Sequence, residues 1–111
     1  MSELDPEDNK LLVLARGAQG RTGGASGAAV RDTDGRTYAA GEVALTTLRL
    51  TALQAAVAAA ISSGAEGFEA AVVLGGDADD AGIDAVREVS ASASVIRVDR
   101  TGAVRSEVHR G

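Results

Sequence analysis

The chain has 111 residues, a formal net charge of -5 and no cysteine, and these totals exclude several classes of protein. Without cysteine there is no disulfide, thiolate metal site or cysteine nucleophile. The acidic balance and the scattered arginines disfavour nucleic acid and anionic membranes as partners, because both need a basic surface. The length and the 45% apolar content predict one domain, residues 1–111.

Targeting and core composition can also be judged from the sequence. No apolar run approaches the roughly 20 residues of a membrane span, and the opening MSELDPEDNK is acidic where a signal peptide would be basic. We therefore expect a cytoplasmic protein with no membrane partner. With one Phe, one Tyr and no Trp, the core is expected to consist of small aliphatic side chains, supplemented by a subunit interface.

The first predicted element is a helix with Asp5 as N-cap and Pro6 at its first position. Its predicted buried stripe is Leu11, Leu12, Leu14 and Ala15. The Gly-rich stretch 17–27 is predicted to be a flexible loop, because glycine is unfavourable inside helices. It precedes a strand and lacks the P-loop pattern, which disfavours a phosphate cradle.

A β-hairpin and a second helix follow. The runs 28–32 and 36–42 flank Asp34-Gly35, a pair typical of tight hairpin turns. The next helix is predicted to begin near Leu48 or Thr51 and to end at 62–64, with Gly64 as its cap. Its predicted apolar stripe is Leu50, Leu53, Val57 and Ile61.

The last third of the chain alternates strands with one more helix. Residues 68–74 form a continuous apolar run, typical of a strand covered on both faces. A short acidic-capped helix is predicted next, with Ile83, Val86 and Val89 on one side, then strands in SVIRVD and AVRSEV. The order predicts an α/β fold: a three-layer α/β/α domain with a mixed sheet of about five strands and an N-terminal hairpin.

From Leu11 to about Val98 several strings resemble the small zinc-dependent cytidine deaminases. The strings are LLVLAR, GAAVRDTDGRTYAAG, TALQAAVAAAISSGAEGFEAAVVL and GIDAVREV. Family members read much like GAALLTDDGKIYTG, CAERTAIFKAVSEGHRDFKAIAVV and PCGACRQV at the last three places. The resemblance implies the family's three-layer fold and self-association as a dimer or tetramer.

The resemblance also implies where the chemistry should lie. In the family, a His or Cys two residues before a catalytic Glu opens the second helix, and Pro-Cys-x-x-Cys opens the third. Here Thr51 takes the first ligand position, Leu53 the Glu position, and Ile83 and Val86 the two Cys positions. We therefore expect no catalytic residue, no zinc and no other cofactor.

The residues themselves favour packing at this place. Thr51 and Gln54 form the pattern of a capping box, and Leu53 lies on the predicted buried stripe. The sequence therefore predicts a packed junction between two helix starts. By the resemblance, Glu42 falls near the family's ribose-binding Asn, and Arg87 matches an Arg beside the last Cys. Glu42, Arg49 and Arg87 are candidates for lining a remaining ligand cleft, and Arg87 has a salt bridge or subunit contact as its alternative.

Other sites are less favoured. Asp77, Asp79, Asp80 and Asp84 could hold Ca²⁺ or Mg²⁺, but capping of the third helix is the preferred interpretation. His109, the only histidine, lies two residues from the end and is not expected to bind metal.

The favoured function is a catalytically inactive cytidine-deaminase-like protein with an oligomeric binding or regulatory role. The alternatives are a hydrolytic deaminase, alone or completed by a paralogous subunit, and a nucleoside sensor that uses the relic pocket.

Overall fold

The computed structural model describes residues 4–77 and 79–108 as a five-stranded sheet between helices. The principal elements are α1 (Pro6–Thr22), β1 (Gly27–Asp32), β2 (Thr37–Gly41), β3 (Val43–Ala44), β4 (Arg49–Leu50), α2 (Ala52–Ser62), β5 (Phe68–Leu74), α3 (Ala81–Val89), β6 (Ser94–Val98) and β7 (Val104–Val108). Across these described ranges, no helix combines the length and apolar composition needed to span a bilayer.

The strand order of the sheet is β2-β1-β5-β6-β7. Only β5 and β6 pair in parallel, because α3 carries the chain back between them; the other neighbouring strands are antiparallel. Alternate residues of β1, β2, β5 and β6 enter two separate cores. One core packs against α1 and the other against α2 and α3, which confirms the predicted three layers and mixed sheet.

The first helix is longer than predicted. It continues through the glycines at 17 and 20 to Thr22 and ends at Gly23, whose φ of 70° is the left-handed conformation common just beyond a helix. Ala18 is buried, and a Cβ at Gly27 of β1 would overlap the carbonyl oxygen of Ala15. This close packing on the sheet outweighs the low helix propensity of glycine, so the prediction of a loop over 17–27 is wrong for residues 17–22.

The predicted hairpin is confirmed, and a buried carboxylate organises its turn. Asp32 accepts hydrogen bonds from the amides of Asp34 and Arg36 and from the Tyr38 hydroxyl, each at 2.9 Å. Burial by itself would raise the pKa of Asp32, but these donors hold that pKa below its ordinary value. The carboxylate of Asp32 is therefore committed to the turn.

Three predicted buried stripes need correction. Leu53 and Val57 of α2 are buried, but Leu50 belongs to β4 and Ile61 is 44% exposed. The alanines at 52, 56 and 60 take the buried positions instead, because only small side chains allow α2 to lie this close to the sheet. The same correction applies to Leu14 and Val89, which are partly exposed at the edges of α1 and α3.

The bounds of α2 agree with one of the two predicted starts. Thr51, not Leu48, is its N-cap, and the C-cap is Ser63 rather than the predicted Gly64. Residues 43–50 form the small β3–β4 hairpin, which the sequence did not predict. Its strands have only two residues each, too short for a periodic pattern.

Candidate functional site

A cleft of about 520 Å³ opens beyond the carboxyl end of β5, where α2 and α3 begin. Gly75 and Gly76 form one part of its wall, and Ala25 and Ser26 form another. Its lining also contains four carboxylate side chains: Glu42, Asp77, Asp79 and Asp80. The cleft is therefore acidic, and within the usual size range of small-molecule sites, about 300–1,000 Å³.

The start of α2 forms the floor of the cleft. Thr51 Oγ1 accepts a hydrogen bond from the Gln54 amide at 3.0 Å, and Gln54 Oε1 accepts one from the Thr51 amide at 2.9 Å. This reciprocal pair confirms the predicted capping box. It satisfies two backbone donors at the helix start and fixes the position of the Thr51 hydroxyl.

The Thr51 hydroxyl donates a hydrogen bond to the start of α3. Its acceptor is Asp80 Oδ1, 2.7 Å away. The same oxygen accepts the amide of Gly82 at 2.8 Å, so Asp80 is the N-cap of α3 and only 9% of its surface is exposed. The two helix starts are thus joined by a hydroxyl–carboxylate hydrogen bond.

Behind this hydrogen bond the junction is apolar. Leu53 and Val86 are fully buried and Ile83 almost so, all within the core shared by α2 and α3. The helices touch at Gly82, where a Cβ would lie 2.6 Å from the Leu53 Cβ. No side chain larger than hydrogen fits at residue 82 without moving α2, so hydrocarbon fills the space between the helix starts.

These residues do not fit a zinc ion. Protein sites bind zinc through His nitrogen, Cys sulfur and carboxylate oxygen, usually four ligands in tetrahedral geometry. Thr51 offers one hydroxyl oxygen that already has partners, and Leu53, Ile83 and Val86 offer only hydrocarbon. Placing a divalent cation there would remove its hydration without replacing it.

The acidic side chains around the cleft do not form an alternative metal centre. Asp80 caps α3 and Asp84 lies in its first turn, as the capping interpretation predicts. Asp77 and Asp79 are exposed on the rim. Among residues 4–77 and 79–108, no three His, Cys, Asp or Glu side chains are grouped closely enough to hold a metal ion. His109 lies outside the described residues.

Glu42 lies on the cleft wall, half-buried, directly after β2. Its Oε1 accepts the amide of Ala25 at 2.9 Å, and a Cβ at Gly24 would lie 2.7 Å from that oxygen. Glu42 therefore holds the segment between α1 and β1 against the cleft, and part of its hydrogen-bonding capacity is already used. The side chain still lines the cleft and faces a second, shallower depression of about 230 Å³.

The other two candidate ligand residues lie elsewhere. Arg49 lines the shallower depression together with Glu42 and Gln54. Arg87 lies in the last turn of α3, half-buried, and is not among the described residues that line the large cleft. Its Nε is buried without a hydrogen-bond partner in the part of the chain that the structure describes. The structure thus brings Glu42 to the cleft with Thr51 and separates Arg87 from both.

The hydrogen bond between Thr51 and Asp80 was not predicted from the sequence. Each residue was expected as part of a helix cap, but they are 29 positions apart. The available signal was the topology: α2 leads into β5 and α3 leaves it. Both helix starts therefore lie at the carboxyl end of that strand.

The comparisons with known proteins agree with this fold. The chain is similar to cytidine deaminase from Burkholderia pseudomallei, at 21% identity and a TM-score of 0.75, over 100% of this chain and 94% of that one. Cytidine deaminase from Mycobacterium tuberculosis matches at 22% identity and a TM-score of 0.65, over 93% and 90% of the two chains. Cytidine deaminase from Mycobacterium leprae matches at 16% identity and a TM-score of 0.66, over 93% of each chain.

At these identities the structural likeness shows the fold alone. A search of curated proteins found no match. The family model described as cytidine deaminase-like matches residues 4–102, which is most of the chain. The chain therefore belongs to the cytidine deaminase-like family.

Proposed function

We propose that this protein is a catalytically inactive member of its family, which acts by binding or regulation. The observation that carries the proposal is the hydrogen bond between Thr51 Oγ1 and Asp80 Oδ1, 2.7 Å long, which closes the junction of α2 and α3. By the resemblance, the family's metal and acid/base motifs fall at the start of these same two helices.

Hydrolytic deamination needs an activated water and a group that carries its proton to the leaving amine. The resemblance assigns the proton carrier's position to Leu53, which has no titratable group and is fully buried. It assigns the ligand positions to Thr51, Ile83 and Val86, whose donor set does not suit zinc. In this proposal neither half of the reaction has a residue to perform it.

The neighbouring carboxylates do not supply the missing proton carrier in this proposal. One oxygen of Asp80 already accepts two hydrogen bonds, and Glu42 Oε1 accepts the amide of Ala25. In this proposal both carboxylates act as structural acceptors.

A deaminase assay tests the proposal. Purified chain is incubated with cytidine, with and without added zinc, and ammonia release is compared with that of the Burkholderia pseudomallei enzyme. We expect release at the uncatalysed rate under both conditions. Zinc-dependent turnover by this chain that survives repurification would contradict the proposal.

A nucleoside sensor is the second candidate, and the 520 Å³ cleft is the observation that favours it. Calorimetric titration with cytidine and uridine would detect such binding, and Glu42→Ala would weaken it if the nucleoside enters this cleft. Arg36→Ala, at the other end of the sheet, is the matched surface control. Absence of heat at millimolar nucleoside would remove this candidate.

We also propose that the protein self-associates. Support comes from large apolar side chains that remain exposed: Val13, Leu14, Leu45 and Leu48. Light scattering is expected to give the mass of a dimer or tetramer, and Leu45→Ser with Leu48→Ser to lower it, while Val13→Ser tests α1 separately. A monomer at the highest soluble concentration would rule out this part of the proposal.

A further inference from the structure

A second pocket, of about 410 Å³, lies beside the turn that joins β6 to β7. Three arginines line it: Arg97 from β6, Arg100 from the turn and Arg105 from β7. The arginines are scattered along the sequence, but the fold groups these three at one pocket. The antiparallel pairing of β6 and β7 brings together positions that are up to eight residues apart.

The charge of this pocket is opposite to that of the rest of the molecule. Among the described residues that line it, Asp99 is the one acidic residue against three arginines, which gives these residues a formal charge of +2 (+3 - 1). The whole chain has a formal charge of -5. Arg16 adds a further cation from α1, since its Nη1 donates to the carbonyl oxygen of Arg100 at 3.5 Å.

The hydrogen-bonding capacity of Asp99 is used mainly by the turn rather than by the arginines. Its Oδ1 accepts hydrogen bonds from the amides of Thr101 and Ala103 and from the Thr101 hydroxyl. Its Oδ2 lies 3.8 Å from Arg105 Nη1, at the outer limit of an ion pair. Within the described residues, Arg100 has no carboxylate at ion-pair distance, so its guanidinium remains available to a ligand.

The pocket borders the acidic cleft. Gly75 and Gly76 line both, and Arg97 Nη2 donates to the Gly76 carbonyl oxygen at 3.3 Å. This contact places one guanidinium at the boundary between the two spaces. A small ligand could therefore have an anionic group among the arginines and an uncharged part in the cleft.

We propose that the arginine pocket binds a phosphate group, either as free phosphate or as a phosphomonoester. Guanidinium groups pair with phosphate oxygens through two parallel hydrogen bonds and stay charged at every physiological pH. Three of them converge on one pocket here. The inference goes beyond the proposal about catalysis, since Thr51, Leu53, Ile83 and Val86 do not line this pocket.

Calorimetric titration with inorganic phosphate, cytidine 5′-monophosphate and cytidine tests the inference. The variant carries Arg100→Gln and Arg105→Gln, both exposed, so the fold is retained. The matched control is Arg36→Gln, an exposed arginine in the β1–β2 turn at the opposite end of the sheet. We expect the double variant to lose about tenfold or more in phosphate affinity and the control to keep it.

Comparison of the three titrations distinguishes free phosphate from a phosphomonoester as the ligand. Tighter binding of the monophosphate than of phosphate, with cytidine weak, indicates a ligand that spans pocket and cleft. Equal binding of monophosphate and phosphate indicates free phosphate in the pocket alone. Absence of phosphate and monophosphate binding, or an equal loss in Arg36→Gln, overturns the inference and leaves the deaminase assay unaffected.

Discussion

Two aspartates in similar local roles show how differently this molecule uses its polar groups. Asp80 at the start of α3 and Asp99 in the β6–β7 turn each accept the amide two residues further on, at 2.8 and 2.9 Å. Asp80 is nearly buried at the start of α3, where it accepts the Thr51 hydroxyl and lines the acidic cleft, whereas Asp99 lies beside three arginines that line the second pocket.

The two regions differ in whether polar groups near the carboxylate remain free to bind a ligand. At the junction, Thr51 and Asp80 pair with each other at the edge of the cleft, and the apolar side chains behind them exclude water. At the turn, Asp99 organises the backbone while the guanidiniums point towards a pocket. In this account the junction maintains the fold, and recognition of ligands is left to the cleft rim and the arginine pocket.

The largest effect is expected from putting a carboxylate into the junction. Leu53→Glu would bury a carboxylate in the apolar core that contains Ile83 and Val86. No cation or hydrogen-bond donor of that core could pair with it. We expect a loss of about 4 kcal/mol or more in the free energy of unfolding, measured by urea denaturation. Leu53→Met is the matched control, expected to cost less than about 1.5 kcal/mol because it conserves volume. A stable Leu53→Glu protein would show that the junction is open rather than packed.

A smaller effect is expected from removing the hydrogen bond between the helix starts. Asp80→Ala removes a helix cap and the acceptor of the Thr51 hydroxyl, at an expected cost of about 1–3 kcal/mol. Thr51→Val removes the donor together with the cap of α2, and the double variant completes a cycle in which the capping losses cancel. We expect a coupling energy of about 1 kcal/mol; costs that add within about 0.3 kcal/mol would show that the two residues are independent.

Substitution of Asp99 in the β6–β7 turn should reduce stability less than Asp80→Ala does, and the reduction should depend on pH. Hydrogen bonds, chiefly from the Thr101 side chain, lower the pKa of Asp99 below its ordinary value of 3.8. A lowered pKa stabilises the folded state above pH 3.8, and this contribution is lost as the pH falls through the lower, folded-state value. Asp99→Asn should therefore lower the thermal midpoint at pH 7, by less than Asp80→Ala, and the difference from the unmodified protein should shrink at pH 3. An unchanged difference at pH 3 would contradict this.

The smallest effect is expected at Ile61, which the sequence assigned to the buried stripe of α2. Because Ile61 is 44% exposed and lies outside the two cores, Ile61→Ala should change the free energy of unfolding by less than about 0.5 kcal/mol. Leu53→Ala, on the same helix, should cost about 2–5 kcal/mol in the same denaturation experiment. Similar costs at the two positions would restore the sequence-based stripe.

Elements with a strong local signal were predicted well. Residues 68–74 form a strand because a continuous apolar run suits a position covered on both faces, and the capping box at Thr51 marks the helix start. The extent of α1 could not be predicted, since its glycines are tolerated through close packing on β1. Neither could the exposure of Ile61, because alanine and isoleucine compete for the buried face and only the distance to the sheet decides between them.

The sites divide in the same way. Glu42 was expected at a ligand cleft and does line one, but Arg87 lies away from it. The hydrogen bond from Thr51 to Asp80 and the cluster of Arg97 with Arg105 depend on which strands pair. Local sequence patterns do not specify strand pairing, so these contacts between distant positions could not be predicted.

The zinc content of the purified protein tests whether the junction of α2 and α3 is packed. The chain is purified without tag or chelator, dialysed against buffer with and without zinc, and analysed by plasma mass spectrometry beside the Burkholderia pseudomallei enzyme. A junction packed with hydrocarbon predicts far less than one zinc per chain under both conditions. Stoichiometric zinc that survives dialysis would contradict the packed junction and make this chain a candidate enzyme.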